Sequence, residues 1–291
     1  MLRAIAFVGT AASASFACSL LVDTSGLTGD GEGGGGASDA RADTQAEATV
    51  SDGATGASSD GGPGADGGTD AACAFSNGAL PVAVGSYCID RTEATNADYD
   101  SFLAANVADP MARPAACAFA TSFARKCSPL ANGPGDPVSC IDWCDAYAYC
   151  QWAGKRLCGR IGGGDQAVTD QTNAATDQWY QACSRGGARA FPYGATYKPA
   201  RCNDAARDAG QAVAVGSSAA CAGGYDGVFD MSGNVHEWVD SCGATTGAGD
   251  KCIIRGGAYD DSADGVACAL AFPLARNTAN PTIGIRCCSK P

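Results

Sequence analysis

Residues 143–157 read WCDAYAYCQWAGKRL, and their spacing predicts an amphipathic helix with a defined end. Trp143, Tyr147, Cys150 and Gly154 fall at i, i+4, i+7 and i+11, along one helix face. Ser139 or Asp142 supplies the N-terminal cap. Gly154 suits the left-handed position past the last turn, with Lys155 and Arg156 complementing the negative end of the helix dipole. Two shorter helices flank this one. Thr95 or Asn96 opens the first, with Tyr99, Phe102 and Leu103 at i, i+3 and i+4. The other runs from about 176 to 183, with Trp179, Tyr180 and Cys183 inward, and stops at Gly186-Gly187. Strand candidates are short: 81–89, 213–215, 253–255 and 283–287. No repeat suggests a solenoid, and the rest is turn-like. The reading is an irregular α+β domain with low regular secondary structure.

Outward from this core the chain changes character. Of its 291 residues, 25–72 hold nine acidic side chains, one arginine, 14 glycines and 10 alanines, so this stretch carries −8 of the formal −12. Leu27, Val50 and Pro63 are nearly its only bulky apolar residues, too few to offset ordering entropy. Residues 19–72 are therefore expected to be a disordered spacer, with a reach of about 40 Å. An acidic balance of 31 Asp and Glu against 19 Lys and Arg disfavours direct nucleic-acid binding. A single histidine, His236, excludes a three-histidine zinc site or a two-histidine iron site within one copy.

Residues 1–18 have the form of an export signal: Arg3, a short apolar run over 4–14, then Ser15-Phe16-Ala17-Cys18. The run is too short to span a bilayer. Cysteine at the end of a signal, before a flexible polar stretch, resembles a bacterial lipoprotein. Cys18 would then be the lipid anchor and the only membrane attachment. Ordinary cleavage after Ala17, giving a secreted protein, is the alternative.

Export sets the reading of the other 16 cysteines, all within 73–291. An even number in an oxidising compartment implies a disulfide-rich domain. Cys140, Cys144, Cys150 and Cys158 could alternatively ligate zinc, although only the first two have knuckle spacing. Proximity alone suggests Cys202 with Cys221, Cys242 with Cys252, and Cys117 with Cys127.

Seven motifs stand in order between residues 80 and 288: YCIDRTEATN from Tyr87, the helix of 143–157, SRGG from Ser184, FPYG from Phe191, DMSGNVHEW from Asp230, RGGA from Arg255 and GIR from Gly284. In this order they resemble the formylglycine-generating enzyme, or sulfatase-modifying factor, family. The resemblance implies the formylglycine-generating-enzyme fold, compact, irregular and related to C-type-lectin-like domains, over residues 73–291. It also implies calcium, Ca2+, held by the carboxylates of Asp230 and Glu237 with the carbonyls of Gly233 and Val235. A second calcium site falls near Asn203 and Asp204. Disulfides from Cys150 to Cys287 and from Cys183 to Cys268 are implied in the same way.

Catalysis is where the pattern breaks. The aerobic enzymes of the family hold copper on two thiols following an RGGS motif, and those positions are Asp261 and Val266, with Ala258 for the serine. An aspartate and a valine do not replace thiolates for soft Cu(I), so copper is not expected. Gly154-Lys155 and the 162–164 glycines lack the features of a phosphate loop. Two readings follow. One is a non-catalytic binding module for a protein, peptide or glycan; the other is an oxidoreductase with a relocated active site.

Overall fold

A computed structural model describes residues 73–74, 77–107 and 113–291. The signal of 1–18, the spacer of 19–72 and the anchor Cys18 lie outside the described residues. None of the described helices is long and apolar enough to cross a membrane.

The chain opens with a hairpin, β1 (Pro81–Val84) and β2 (Tyr87–Asp90). The single strand expected over 81–89 turns instead at Gly85, whose φ of 59° favours glycine. Helix α1 (Asn96–Ala104) follows. Thr95 caps it in a reciprocal box: its hydroxyl accepts from the Asp98 amide at 3.1 Å, and the Asp98 carboxylate accepts from the Thr95 amide at 3.0 Å.

Helix α2 (Trp143–Trp152) is capped by Asp142 in the same way. Its end is a Schellman turn: the Lys155 amide donates to the Cys150 carbonyl at 2.8 Å, with Gly154 at a φ of 74°. Lys155 departs from the dipole role expected of it. It turns inward, donating to the Ala79 carbonyl at 2.6 Å and pairing with Asp90 at 2.5 Å, both side chains almost fully buried.

Beyond the short β3 (Arg156–Leu157), Asp177 caps α3 (Gln178–Ser184) and Arg185 closes it in the left-handed region. Then come β4 (Ala222–Gly223), β5 (Tyr225–Phe229), β6 (His236–Cys242), β7 (Lys251–Arg255), β8 (Phe272–Ala275), β9 (Ile283–Ile285) and β10 (Cys287–Ser289). They form one sheet in the order β1-β2-β10-β3, a second in the order β8-β7-β6-β9 and the hairpin β4-β5.

The second sheet divides the core. Trp238 and its partner Ile254 pack with α1 and α2 residues such as Phe102 and Tyr149, whereas Val239 and Ile253 face Ile89, Trp179 and Met231. The strand expected over 283–287 is two strands in different sheets, with Arg286 at the crossing. Residues 213–215 form no strand. The Asn234 side chain accepts from the Val213 amide at 2.9 Å and donates to its carbonyl at 3.2 Å, taking the groups a ladder needs.

Eight disulfides bond all sixteen cysteines of residues 73–291. Cys150 is joined to Cys287, Cys183 to Cys268, Cys202 to Cys221 and Cys242 to Cys252. The pairing of Cys117 with Cys127 is corrected: Cys117 bonds Cys144 on α2, and Cys127 bonds Cys140. Folding brings the start of α2 against both segments, a non-local contact that sequence proximity does not reveal. Cys73 pairs with Cys88 and Cys158 with Cys288. The zinc reading of Cys140, Cys144, Cys150 and Cys158 falls, since each sulfur is bonded to another sulfur.

Candidate functional site

The loop before β6 and the loop after β7 meet where the copper position of the family was expected. Their approach depends on glycine: a Cβ on Gly233 would lie 2.2 Å from the Asn203 carbonyl oxygen, and one on Gly257 would lie 2.5 Å from that of Gly265. Beside them Asn234 adopts a φ of 65° and links three segments. Its amide donates to Glu93 at 2.9 Å, and its oxygen accepts from Val213 and, at 3.0 Å, from Asn203.

At the former thiol positions Asp261 accepts from His236 Nε2 at 2.9 Å and from the Ala258 amide at 2.8 Å. The His236 hydrogen bond is the main reason its carboxyl lies below the usual range. Val266 is fully buried, and its carbonyl accepts from the Ser232 hydroxyl. The Ser232 hydroxyl is thus committed to the backbone and not to His236. His236 Nδ1 has no partner among the described residues. The site is a histidine–aspartate pair without a thiol.

The calcium reading of Asp230, Gly233, Val235 and Glu237 does not fit these donors. The single Arg286 Nε–H is shared between Glu237 Oε1 at 2.9 Å and Oε2 at 3.0 Å, Arg286 Nη2 pairs with Oε1 at 2.8 Å, and Oε2 accepts from Trp179 Nε1 at 2.6 Å. The guanidinium and the indole thus engage both oxygens, and the guanidinium places a positive charge where a cation would sit. Asp230 accepts from the Gly216 amide at 2.5 Å, and burial raises its pKa.

At the second expected site the donors are engaged only in part, since Asn203 Oδ1 is buried with no partner among the described residues. Asp204 caps a short 3-10 turn and accepts from Tyr197 at 2.9 Å, while Asn203 donates to Gln211 and Asn234. Among the described residues no three His, Cys, Asp or Glu side chains are grouped to hold a metal ion.

Arg286 is the structural centre. Besides Glu237 on β6 it donates to the Asp90 carbonyl on β2 at 2.8 Å and to the Phe229 carbonyl on β5 at 2.9 Å, so one side chain joins all three β units. Arg255 lies over Trp179 at 5.0 Å and pairs with Asp177 at 2.9 Å, fixing the cap of α3. Both guanidiniums are fully buried fork donors.

The chain matches the family described as the sulfatase-modifying factor enzyme 1-like domain over residues 39–291. It belongs to the sulfatase-modifying factor family.

Two curated relatives place the chain within that family's range. It is 29% identical over 169 residues to the inactive C-alpha-formylglycine-generating enzyme 2 of Mus musculus, covering 53% of this chain and 49% of the mouse protein. It is 30% identical over 172 residues to the hercynine oxygenase of Mycolicibacterium smegmatis, covering 51% and 35%. The chain spans half or less of the length of these relatives. Among solved structures, PvdO from Pseudomonas aeruginosa aligns with a TM-score of 0.50 at 22% identity, covering 70% of this chain and 80% of PvdO, a likeness of fold. Within this sulfatase-modifying factor fold, sequence reasoning missed Glu93 and Asp240. Glu93 follows the CIDRT motif and is fully buried with Oε2 unpartnered among the described residues; burial raises its pKa well above the usual range. Asp240 lies two residues beyond Trp238, the end of the recognised motif.

Proposed function

We propose that the chain is an exported, non-catalytic member of the sulfatase-modifying factor family that works as a binding module, anchored through a lipid on Cys18. One observation carries the non-catalytic part: every cysteine of residues 73–291 is in a disulfide, and Asp261 and Val266 stand where copper thiols would be needed. The name of the mouse relative, an inactive enzyme, agrees with this reading. Eight bridges agree with folding in an oxidising compartment. A relocated oxidase needs a free thiol pair, and the described residues supply none. The ligand belongs to the protein, peptide or glycan class.

The test is native thiol trapping with copper quantification on the purified chain, followed by incubation with a cysteine-containing sulfatase peptide. The expected result is no labelled thiol in residues 73–291, no bound copper and no aldehyde formed. Two labelled thiols or co-purifying copper would overturn the proposal. Detergent-phase partition that is lost on Cys18→Ser separates a lipid-anchored protein from a secreted one.

A further inference from the structure

Towards the far end of β6, roughly 13 Å along the strand from His236, lies a cavity of about 450 Å3 lined by Trp143, Tyr147, Asp165, Asp240, Thr245 and Arg276. That volume is in the range of small-ligand sites. It is distinct from the His236–Asp261 pair, and the sequence pattern placed Trp143 and Tyr147 on one helix face without assigning them a ligand.

Its chemistry favours one kind of guest. The Asp240 carboxylate is half-buried and accepts no hydrogen bond from the described residues. Burial pushes its pKa up to about 6, and the charge of Asp165 adds to that; Arg156 and Arg276 act in the opposite direction. Both arginines direct their Nη groups elsewhere, while their buried Nε atoms have no partner among the described residues. Arg156 donates to the carbonyls of Leu157 at 3.2 Å and Arg160 at 3.0 Å. Arg276 donates to the Ala244 carbonyl at 2.8 Å, pairs with Asp250 at 3.3 Å and covers the Trp143 ring at 4.5 Å. The surroundings therefore hold three carboxylates against two guanidiniums, leaving a net negative charge.

The aromatic wall agrees. Tyr147 stacks on Trp143 with centroids 5.2 Å apart, and its phenol is raised by burial and then by Asp240. Trp143 is only 3% exposed, and its indole N–H donates to the Val239 carbonyl at 2.9 Å. It offers no open platform for stacking a sugar. A cation, by contrast, gains Coulomb attraction from two carboxylates and a π contribution from the tyrosine ring.

We propose that this cavity binds an organic cation, the primary ammonium of a lysine side chain presented by a partner's basic peptide segment. The inference rests on the binding-module reading and gives that module a ligand chemistry.

Calorimetric titration of the full chain at low salt and pH 7.5 with Nα-acetyl-lysine-N-methylamide tests it, beside the same compound acetylated on Nε. Saturable binding of the ammonium probe alone is expected. Asp240→Asn should weaken it about tenfold or more, as should lowering the pH to 5, where Asp240 takes up a proton. Asp165→Asn, on an exposed loop, should weaken it about threefold and keeps the test decisive if Asp240→Asn does not fold. Absence of saturable binding up to ~50 mM probe, equal binding of the neutral probe, or indifference to both substitutions overturns the proposal. Thiol and copper contents of the same sample report on catalysis independently. An empty cavity in a copper-free protein refutes the ligand, whereas a copper-bearing protein refutes the module.

Discussion

Arg286 shows how much one side chain can decide in a domain with little regular structure. Its guanidinium is fully buried and meets Glu237 in a two-point pair. Breaking one side of a buried pair strands the other charge, at a cost of about 3–5 kcal/mol. Arg286→Met should therefore lower stability by that amount, read as a shift of the urea midpoint, and Glu237→Gln should act in the same direction. An unshifted midpoint for both would show that the pair does not hold the sheets together. Asp90 makes a prediction of opposite character. Burial pushes its pKa up to about 6 despite Lys155 beside it, against ~3.9 in an unfolded chain. The folded state thus binds the proton more tightly, so stability should rise as the pH falls from 7.5 through 6 and level off below about 4. Asp145 and Asp240 shift in the same direction, burial being the leading cause for each. Urea midpoints at pH 7.5 and 5 check the sign, and Asp90→Asn should flatten part of the slope.

At the scale of elements, what the sequence disclosed was local. The sequence offered Thr95 or Asn96 and Ser139 or Asp142 as helix starts and Gly154 as the end of α2; the fold selects Thr95, paired with Asp98, and Asp142, paired with Asp145. Thr95→Ala should accordingly cost about 1 kcal/mol, measured by chemical denaturation, because the Asp98 amide loses its acceptor. Strands were less legible because their limits are set from a distance. Residues 283–287 read as one apolar run, yet Arg286 divides them between two sheets. Val213 looked extended, but the side chain of Asn234, 21 residues on, claims its amide and carbonyl. The disulfides divide similarly. Family order gave Cys150 with Cys287 and Cys183 with Cys268, whereas the bond from Cys117 to Cys144 depends on where α2 docks. The candidate site was legible in its position and not in its partners: Asp261 was visible as a missing thiol, but its bond to His236, 25 residues earlier, required the fold.

For the whole molecule the question is what supplies rigidity. A bound ion stabilises by mass action, about 2.7 kcal/mol at a hundredfold excess over its dissociation constant. Here Arg286 and Trp179 engage the Glu237 carboxylate that would hold calcium. Eight covalent bridges meanwhile constrain the unfolded chain, and removing a native bridge from a small secreted domain typically costs about 2–5 kcal/mol. Stability should then depend on oxidation and be indifferent to calcium. Thermal unfolding with a chelator and with ~5 mM calcium should give midpoints equivalent to within about 0.5 kcal/mol, far below the mass-action gain. Prior reduction of the disulfides should abolish the cooperative transition. A calcium-dependent rise of several degrees would mean that Glu237 exchanges Arg286 for the ion, and a protein still cooperative after reduction would mean that the two cores suffice without their bridges.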